Sequence, residues 1–172
     1  MHASGITWDF KVAMIQMLAD TGLGYDTRYH YYRVQFPDMP AMELARLVCD
    51  PIEYYDPDWP EWRAAQTPGR DEDELVTAFF LERDTVFRRE AQAAIYCFDE
   101  AGFGSGVNVM RFIQDRKPVL GFYHAVAAQR GPRMNVGNII QLAMEYPRRV
   151  TLYHYSSTEE ITKLAADWLR AL

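Results

Sequence analysis

Residues 93–124 constrain the fold of this chain more than any other part of its sequence. They spell AAIYCFDEAGFGSGVNVMRFIQDRKPVLGFYH, in which two short apolar runs flank a glycine-rich stretch and an amphipathic one. This order predicts a buried strand over 93–98, a turn, a helix over 107–115 and a second buried strand over 119–123. A strand, a crossover helix and a second strand are the unit from which parallel sheets are built.

The other periodic segments continue this alternation of helices and strands. Apolar spacing predicts helices that begin near Thr7 or Asp9 and end at Gly22 or Gly24, and further helices over 42–48, 71–91 and 135–146. Residues rich in β-formers predict strands over 25–36 and 150–155. A capping box of Ser157 and Glu160 begins the last helix. The predicted fold class is α/β, with a doubly wound, mostly parallel sheet in a flavodoxin-like or Rossmann-like three-layer sandwich.

Length and composition limit the domain organisation. A chain of 172 residues can form one domain that buries roughly 70% of the surface of the unfolded chain. We therefore expect a single domain over 1–172, with an irregular insertion at about 37–70 that contains six of the nine prolines. The aromatic-rich segment 25–62 favours a packing or oligomer interface, or a stacking surface for a flat ligand.

Charge and residue usage exclude several classes of partner. A formal net charge of −6 without a basic patch argues against nucleic acid, and the sequence shows no signal-peptide pattern and no long apolar run. We therefore expect a cytoplasmic protein that binds no membrane. Its cysteines do not form a metal-type pair, and Cys97 is predicted to be a small core residue. No set of residues has metal-ligand spacing, so we expect no metal and no other cofactor.

Ligands of open parallel sheets bind beyond the carboxyl ends of the strands, and this rule selects the candidate site. Asp99 and Glu100 follow the first strand of the 93–124 segment, and His124 ends the second. Asp99 is predicted either to hold a ribose hydroxyl, to act as a general base or to cap the turn. His124 is predicted to bind phosphate, to transfer a proton or simply to end its strand.

The stretch between these strands offers a second group of candidates. Backbone N–H groups of Gly102, Gly104, Ser105 and Gly106 favour an anion, as does the start of a helix. The alternative is a tight turn that needs glycine for its backbone conformation alone. Three further polar side chains follow beyond the second strand: Arg130, Arg133 and Asn135. Among these, arginine side chains would clamp a phosphate group.

Four segments of the second half carry a resemblance to a known family. The first, LERDTVFRREAQAAIYCFDE, is a helix followed by a strand that ends in an acid, and the second, GFGSGV, is a Gly/Ser turn that leads into a helix. The third, DRKPVLGFY, enters the next strand, and the fourth, RVTLYHYSSTEEITKLAADWL, is the closing strand and helix. In this order, about 79–172 resembles the nucleoside 2-deoxyribosyltransferase superfamily, which includes the 2′-deoxynucleoside 5′-monophosphate N-glycosidases. The resemblance implies a flavodoxin-like sheet, a homo-oligomer, and cleavage or exchange of an N-glycosidic bond.

Two departures from the family pattern bear on activity. The resemblance implies a glutamate nucleophile in the helix after the turn, but that position falls at Asn108 or Met110 here. Neither side chain can form a glycosyl intermediate, although Asn108 can hydrogen-bond a ribose. The family also opens with a strand and a glycine-containing turn, whereas this chain enters a predicted helix almost at once.

The sequence therefore predicts a protein that binds a nucleoside or a nucleotide. If it is an N-glycosidase or a deoxyribosyltransferase, Asp99 or Glu100 replaces the missing glutamate, or water attacks directly. Two alternatives remain: a catalytically inactive sensor of nucleotides or sugar phosphates, and an oligomeric interaction module.

Overall fold

The computed structural model describes residues 5–49, 58–99, 103–124 and 133–172. In these ranges the chain is mixed α/β, with eight helices and one three-stranded parallel sheet. In chain order the elements are α1 (Gly5–Thr21), α2 (Thr27–Gln35), α3 (Ala41–Cys49), α4 (Trp59–Ala64), α5 (Glu72–Glu90), β1 (Ala94–Cys97), α6 (Phe103–Gln114), β2 (Val119–His124), α7 (Arg133–Glu145), β3 (Val150–Tyr155) and α8 (Thr158–Arg170).

These elements divide into two compact units. The helical unit consists of residues 26–91 and holds α2 to α5, whereas the sheet unit joins α1 to residues 92–172. None of the helices in the described ranges has both the length and the apolar content needed to cross a membrane.

The sheet has the order β1-β2-β3, with β2 in the centre and parallel to both neighbours. Cys97 pairs with Phe122, and His124 pairs with Tyr155. Because all three strands run in the same direction, their carboxyl ends meet at one edge of the sheet. That edge is where the predicted site residues of β1 and β2 are expected to converge.

The main core of the sheet unit lies between the sheet, α1 and α8. Phe122 of β2 and Tyr155 of β3 pack with buried residues of both helices. The helix residues of this core are Phe10, Met14, Met17, Ile161, Ala165 and Ala166. Each large apolar side chain buried in this way contributes about 1.5–3 kcal/mol, so the core fixes the strands that carry the site.

Close packing around the centre of β2 leaves no room for a side chain at Gly121. A Cβ atom at this position would lie 2.3 Å from a ring carbon of Phe98 and 2.9 Å from a methyl carbon of Leu152. Phe98 in turn stacks on Tyr96, whose ring also contacts Phe112 of α6. Glycine is therefore required here by the close approach of the aromatic ring.

The predicted strand over 25–36 is wrong, because this segment forms α2. Asp26 caps the helix by accepting a hydrogen bond from the backbone N–H of Tyr29 at 2.7 Å. Tyr32 is 1% exposed and packs against α3, while the ring of Tyr31 meets Phe87 of α5 edge to face. The cap and this packing outweigh the preference of aromatic residues for strands.

Two predicted helix starts are also wrong. The first helix already begins at Gly5, so Thr7 and Asp9 lie inside it and cannot be its cap. The helix predicted over 107–115 begins at Phe103 and therefore includes part of the glycine-rich stretch. In both cases helical structure extends through residues that favour turns in isolation.

Several boundaries were predicted correctly. Gly22 and Gly24 follow α1 with φ angles of 66° and 151°, which favour glycine. Asp71 caps α5 through the backbone N–H groups of Asp73 and Glu74. Ser157 caps α8 by accepting a hydrogen bond from the backbone N–H of Glu160, as predicted, while Oε2 of Glu160 accepts from the N–H of Ser156, one residue before the cap. The strand over 150–155 has the predicted bounds.

Candidate functional site

The carboxylate of Asp99 links the carboxyl ends of all three strands. Asp99 follows β1 by two residues, and its Oδ1 accepts a hydrogen bond from the backbone N–H of His124 at 2.7 Å. Its Oδ2 accepts a hydrogen bond from the hydroxyl of Tyr155, the last residue of β3. The structure thus brings together Asp99 and His124, which the strand-end rule selects, and the side chain of Asp99 also reaches β3.

Cys97 supplies a third donor to the same carboxylate. Its Sγ atom lies 3.2 Å from Oδ2 of Asp99 and 4.0 Å from the hydroxyl oxygen of Tyr155. Burial, aided by the negative charge of Asp99, raises the pKa of Cys97 to about 12. The thiol is therefore protonated at neutral pH, so it acts as a hydrogen-bond donor and not as a nucleophile.

Tyr155 is buried and held by aromatic contacts. Burial raises its pKa above the ordinary value, and the hydrogen bond to Asp99 raises it further, so the hydroxyl keeps its proton. Its ring centroid lies 5.2 Å from that of His124 and 6.5 Å from that of Phe122, both in edge-to-face geometry. These contacts fix the ring, and with it the hydroxyl, at the edge of the sheet.

The result is an acceptor site built on rigid elements. The Asp99 side chain is only partly buried, while its two oxygens accept three hydrogen bonds from Cys97, His124 and Tyr155. Hydrogen bonds to an ionised carboxylate are stronger than those between neutral groups. An oriented carboxylate at this edge can accept a hydroxyl or amino hydrogen of a ligand, or attack an electrophilic carbon.

The glycine-rich stretch does not form the separate turn that was predicted. Gly104, Ser105 and Gly106 lie in the first turn of α6. A Cβ atom on either glycine would meet nothing within 4 Å, so no close approach in the described structure requires glycine there. Asn108 lies one turn further along, where its side-chain oxygen accepts a hydrogen bond from Arg111 at 3.3 Å.

Other predicted residues fall where the structure gives no side-chain description. Glu100, Gly102 and Arg130 lie outside the described residues. Arg133 is the first residue of α7 and Asn135 is the third, but only their backbone is described. The roles predicted for these five residues stay predictions.

Sequence reasoning missed the two side chains that hold Asp99. The apolar neighbours of Cys97 predict a core residue, and no motif in the sequence marks Tyr155. The strand-end rule that found Asp99 and His124 also applies to the strand over 150–155, and it would have selected Tyr155 as the last residue of that strand.

In the described ranges, no three His, Cys, Asp or Glu side chains converge to form a metal site. No protein-family model, curated protein or solved structure gives a significant match to this chain.

Proposed function

We propose that this chain binds a nucleoside or a nucleotide at the carboxyl edge of its sheet. The observation that supports the proposal most strongly is the Asp99 carboxylate, which donors from β1, β2 and β3 orient at that edge. An acid at the end of a strand is the usual acceptor for sugar hydroxyls in nucleotide-binding α/β folds. The finer architecture belongs to the same proposal: a doubly wound, flavodoxin-like domain of the deoxyribosyltransferase type.

Catalysis under this proposal depends on a carboxylate near the sugar. The helix after β1 has none between Ser105 and Asp115, so attack on the anomeric carbon falls to Asp99 or Glu100. The attacking carboxylate would form a glycosyl ester as the base leaves, and water would then hydrolyse that ester. An N-glycosidase would therefore release a free base and a free sugar.

A specific observation favours binding without turnover as the second candidate. The Asp99 carboxylate accepts hydrogen bonds from three donors, and each bond withdraws negative charge from the oxygens. A carboxylate solvated in this way by the protein is a weaker nucleophile than a free one. The same hydrogen bonds suit an acceptor that recognises a ligand and leaves it intact.

The experiment combines binding and turnover on one set of compounds. Titration calorimetry with nucleosides, 2′-deoxynucleosides and their 5′-monophosphates measures affinity, while chromatography of the same mixtures measures base release. Asp99→Asn removes the charge with little change in shape, and Asp20→Asn, at an exposed position on α1, is the matched control. Saturable binding that Asp99→Asn weakens and Asp20→Asn preserves supports the proposal.

The two candidates differ in base release. Base release that disappears in Asp99→Asn identifies a glycosidase, and binding without release identifies a sensor. The absence of both binding and release would contradict the proposed function. The homo-oligomeric state that the family resemblance implies stays a prediction, which sedimentation of the same samples tests.

A further inference from the structure

The two oxygens of Asp99 are not equivalent. Oδ2 accepts hydrogen bonds from Tyr155 and Cys97, whereas Oδ1 accepts one, from the backbone N–H of His124. Each carboxylate oxygen offers about two lone-pair positions. Donors from the described residues therefore fill Oδ2 and leave one acceptor position on Oδ1.

This asymmetry has a structural source. The terminal torsion of an aspartate is broad, so a carboxylate without fixed partners turns freely and exchanges its oxygens. Tyr155 is 7% exposed, and its ring is held by contacts with His124 and Phe122. A donor on such a rigid ring stops the rotation far better than one on a flexible side chain would.

We infer that Tyr155 is the positioning residue of the site, holding Oδ2 of Asp99 so that Oδ1 is the atom that meets the ligand. The inference deepens the proposed function and depends on it for the nature of the ligand. With one acceptor position on Oδ1, Asp99 takes a single ring hydroxyl of the sugar and does not bind a 2′,3′-diol through both oxygens. Tyr155 itself need not touch the ligand.

The first part of the test needs no ligand. In a ¹H–¹⁵N NMR spectrum, the backbone amide of His124 reports directly on the position of Oδ1. Tyr155→Phe keeps the ring and removes only the donor, so we expect the His124 amide to shift upfield and to exchange faster with water. Tyr153→Phe, two residues earlier on β3, is the matched control and should leave that amide unchanged. An unchanged His124 amide in Tyr155→Phe would overturn the inference.

The second part uses adenosine, guanosine, cytidine and uridine, each with its 2′-deoxy and 2′,3′-dideoxy counterparts. The hydroxyl preference is the affinity of the better hydroxyl-bearing form divided by that of the dideoxy form. We expect a preference of about tenfold in the wild type, which is the affinity that one hydrogen bond to a charged group usually contributes. In Tyr155→Phe the affinity of the hydroxyl-bearing forms should fall while that of the dideoxy forms is kept, so the preference approaches one.

A purely structural role for Tyr155 gives a different result. It would weaken the hydroxyl-bearing and dideoxy forms by the same factor, and that outcome overturns the inference. Asp99→Asn alone should also abolish the preference, and adding Tyr155→Phe to it should change nothing further, because Tyr155 acts through Asp99. If the wild type binds neither these compounds nor their 5′-monophosphates, the proposed function fails, and the His124 amide alone decides whether Tyr155 positions Asp99.

Discussion

Tyr155 donates its hydroxyl hydrogen to the carboxylate of Asp99, although the whole of β2 separates the strands that carry the two residues. The bond spans the central strand at its carboxyl end, where Asp99 also accepts the backbone N–H of His124. One carboxylate thereby joins three strands by hydrogen bonds that are independent of the sheet ladder. The same group stabilises the edge of the sheet and, under the proposed function, offers an acceptor to a ligand.

Asp99→Ala tests the structural part of this relationship. It leaves the buried hydroxyl of Tyr155 and the N–H of His124 without their acceptor, and each loss costs about 1–3 kcal/mol. We expect the free energy of unfolding in urea to fall by about 2–4 kcal/mol. The control is Asp20→Ala, which removes an exposed side chain bonded only to Gln16 among the described contacts, and it should cost less than about 0.5 kcal/mol. Equal losses in the two variants would contradict the role given to Asp99.

Alkaline pH should destabilise the fold through Cys97. Its pKa is raised from 9.0 to about 12, so the folded state holds a proton that the unfolded chain releases above pH 9. The stability that this thiol supplies is complete below pH 9 and is lost as the pH rises towards 12, with a slope of up to about 1.4 kcal/mol per pH unit.

Cys97→Ser isolates this effect, because a serine hydroxyl keeps the donor but does not titrate in the range. We expect urea unfolding at several pH values from 8 to 11 to give a shallower loss of stability in the variant. Tyr155 contributes in the same direction, since its pKa is also raised. Parallel pH profiles for the wild type and Cys97→Ser would refute the contribution of Cys97.

In the helical unit, Arg83 forms an ion pair with Asp58, and both side chains are partly buried. Its guanidinium also donates to the hydroxyl of Tyr31 at 3.1 Å and lies 5.2 Å from the ring centroids of Tyr31 and Phe79. Arg83→Gln should destabilise the unit by about 3 kcal/mol, because it removes the guanidinium that pairs with the partly buried carboxylate of Asp58. Arg83→Lys should rescue only part of this loss, since an ammonium cannot pair and stack in the same way.

A second ion pair of the same unit provides the comparison. The Nη2 atom of Arg63 lies 3.0 Å from Oε2 of Glu72, but the two side chains are 40% and 59% exposed. Glu72→Gln should therefore change the unfolding free energy by less than about 1 kcal/mol. If circular dichroism in urea gave similar losses for Glu72→Gln and Arg83→Gln, burial would not be what distinguishes the two pairs.

Gly121→Ala should be destabilising because the new methyl group overlaps the ring of Phe98. Overpacking of this kind costs about 1–3 kcal/mol. The cost should shrink in the double variant with Phe98→Leu, which removes the ring. Gly104→Ala is the control, since it places a methyl group in open space at the start of α6 and should be neutral or stabilising. The midpoints of thermal unfolding of the wild type, these three variants and Phe98→Leu alone measure these differences. If Gly121→Ala costs as much in the Phe98→Leu background as in the wild type, the overlap is contradicted.

The sheet unit could be predicted closely from the sequence, and the helical unit less so. Short continuous apolar runs such as the one around Leu120 mark strands that are buried on both faces, and their length and the turn residues beside them distinguish them from helices. The segment that holds Tyr31 and Tyr32 carries no such signal. Its aromatic residues favour strands locally, and only the cap at Asp26 and the packing of Tyr32 against α3 decide for a helix.

The candidate site could be predicted in part for a similar reason. Asp99 and His124 follow from the rule that parallel strands present ligands at their carboxyl ends. The hydrogen bond from Tyr155 depends on strand order and register, since β3 must lie beside β2 with Tyr155 opposite His124. Sequence order alone does not give that register, so Tyr155 becomes visible as a partner of Asp99 only in the folded chain.

Titration calorimetry shows whether Asp99 is the ligand acceptor of a nucleoside or nucleotide site. The wild type and Asp99→Asn are titrated with the same nucleosides and 5′-monophosphates under the same conditions. We expect saturable binding of at least one compound to the wild type, and an affinity about tenfold or more weaker in Asp99→Asn, as for the loss of a hydrogen bond to a charged group. Equal affinity in the two proteins, or no binding to the wild type, would contradict that role of Asp99.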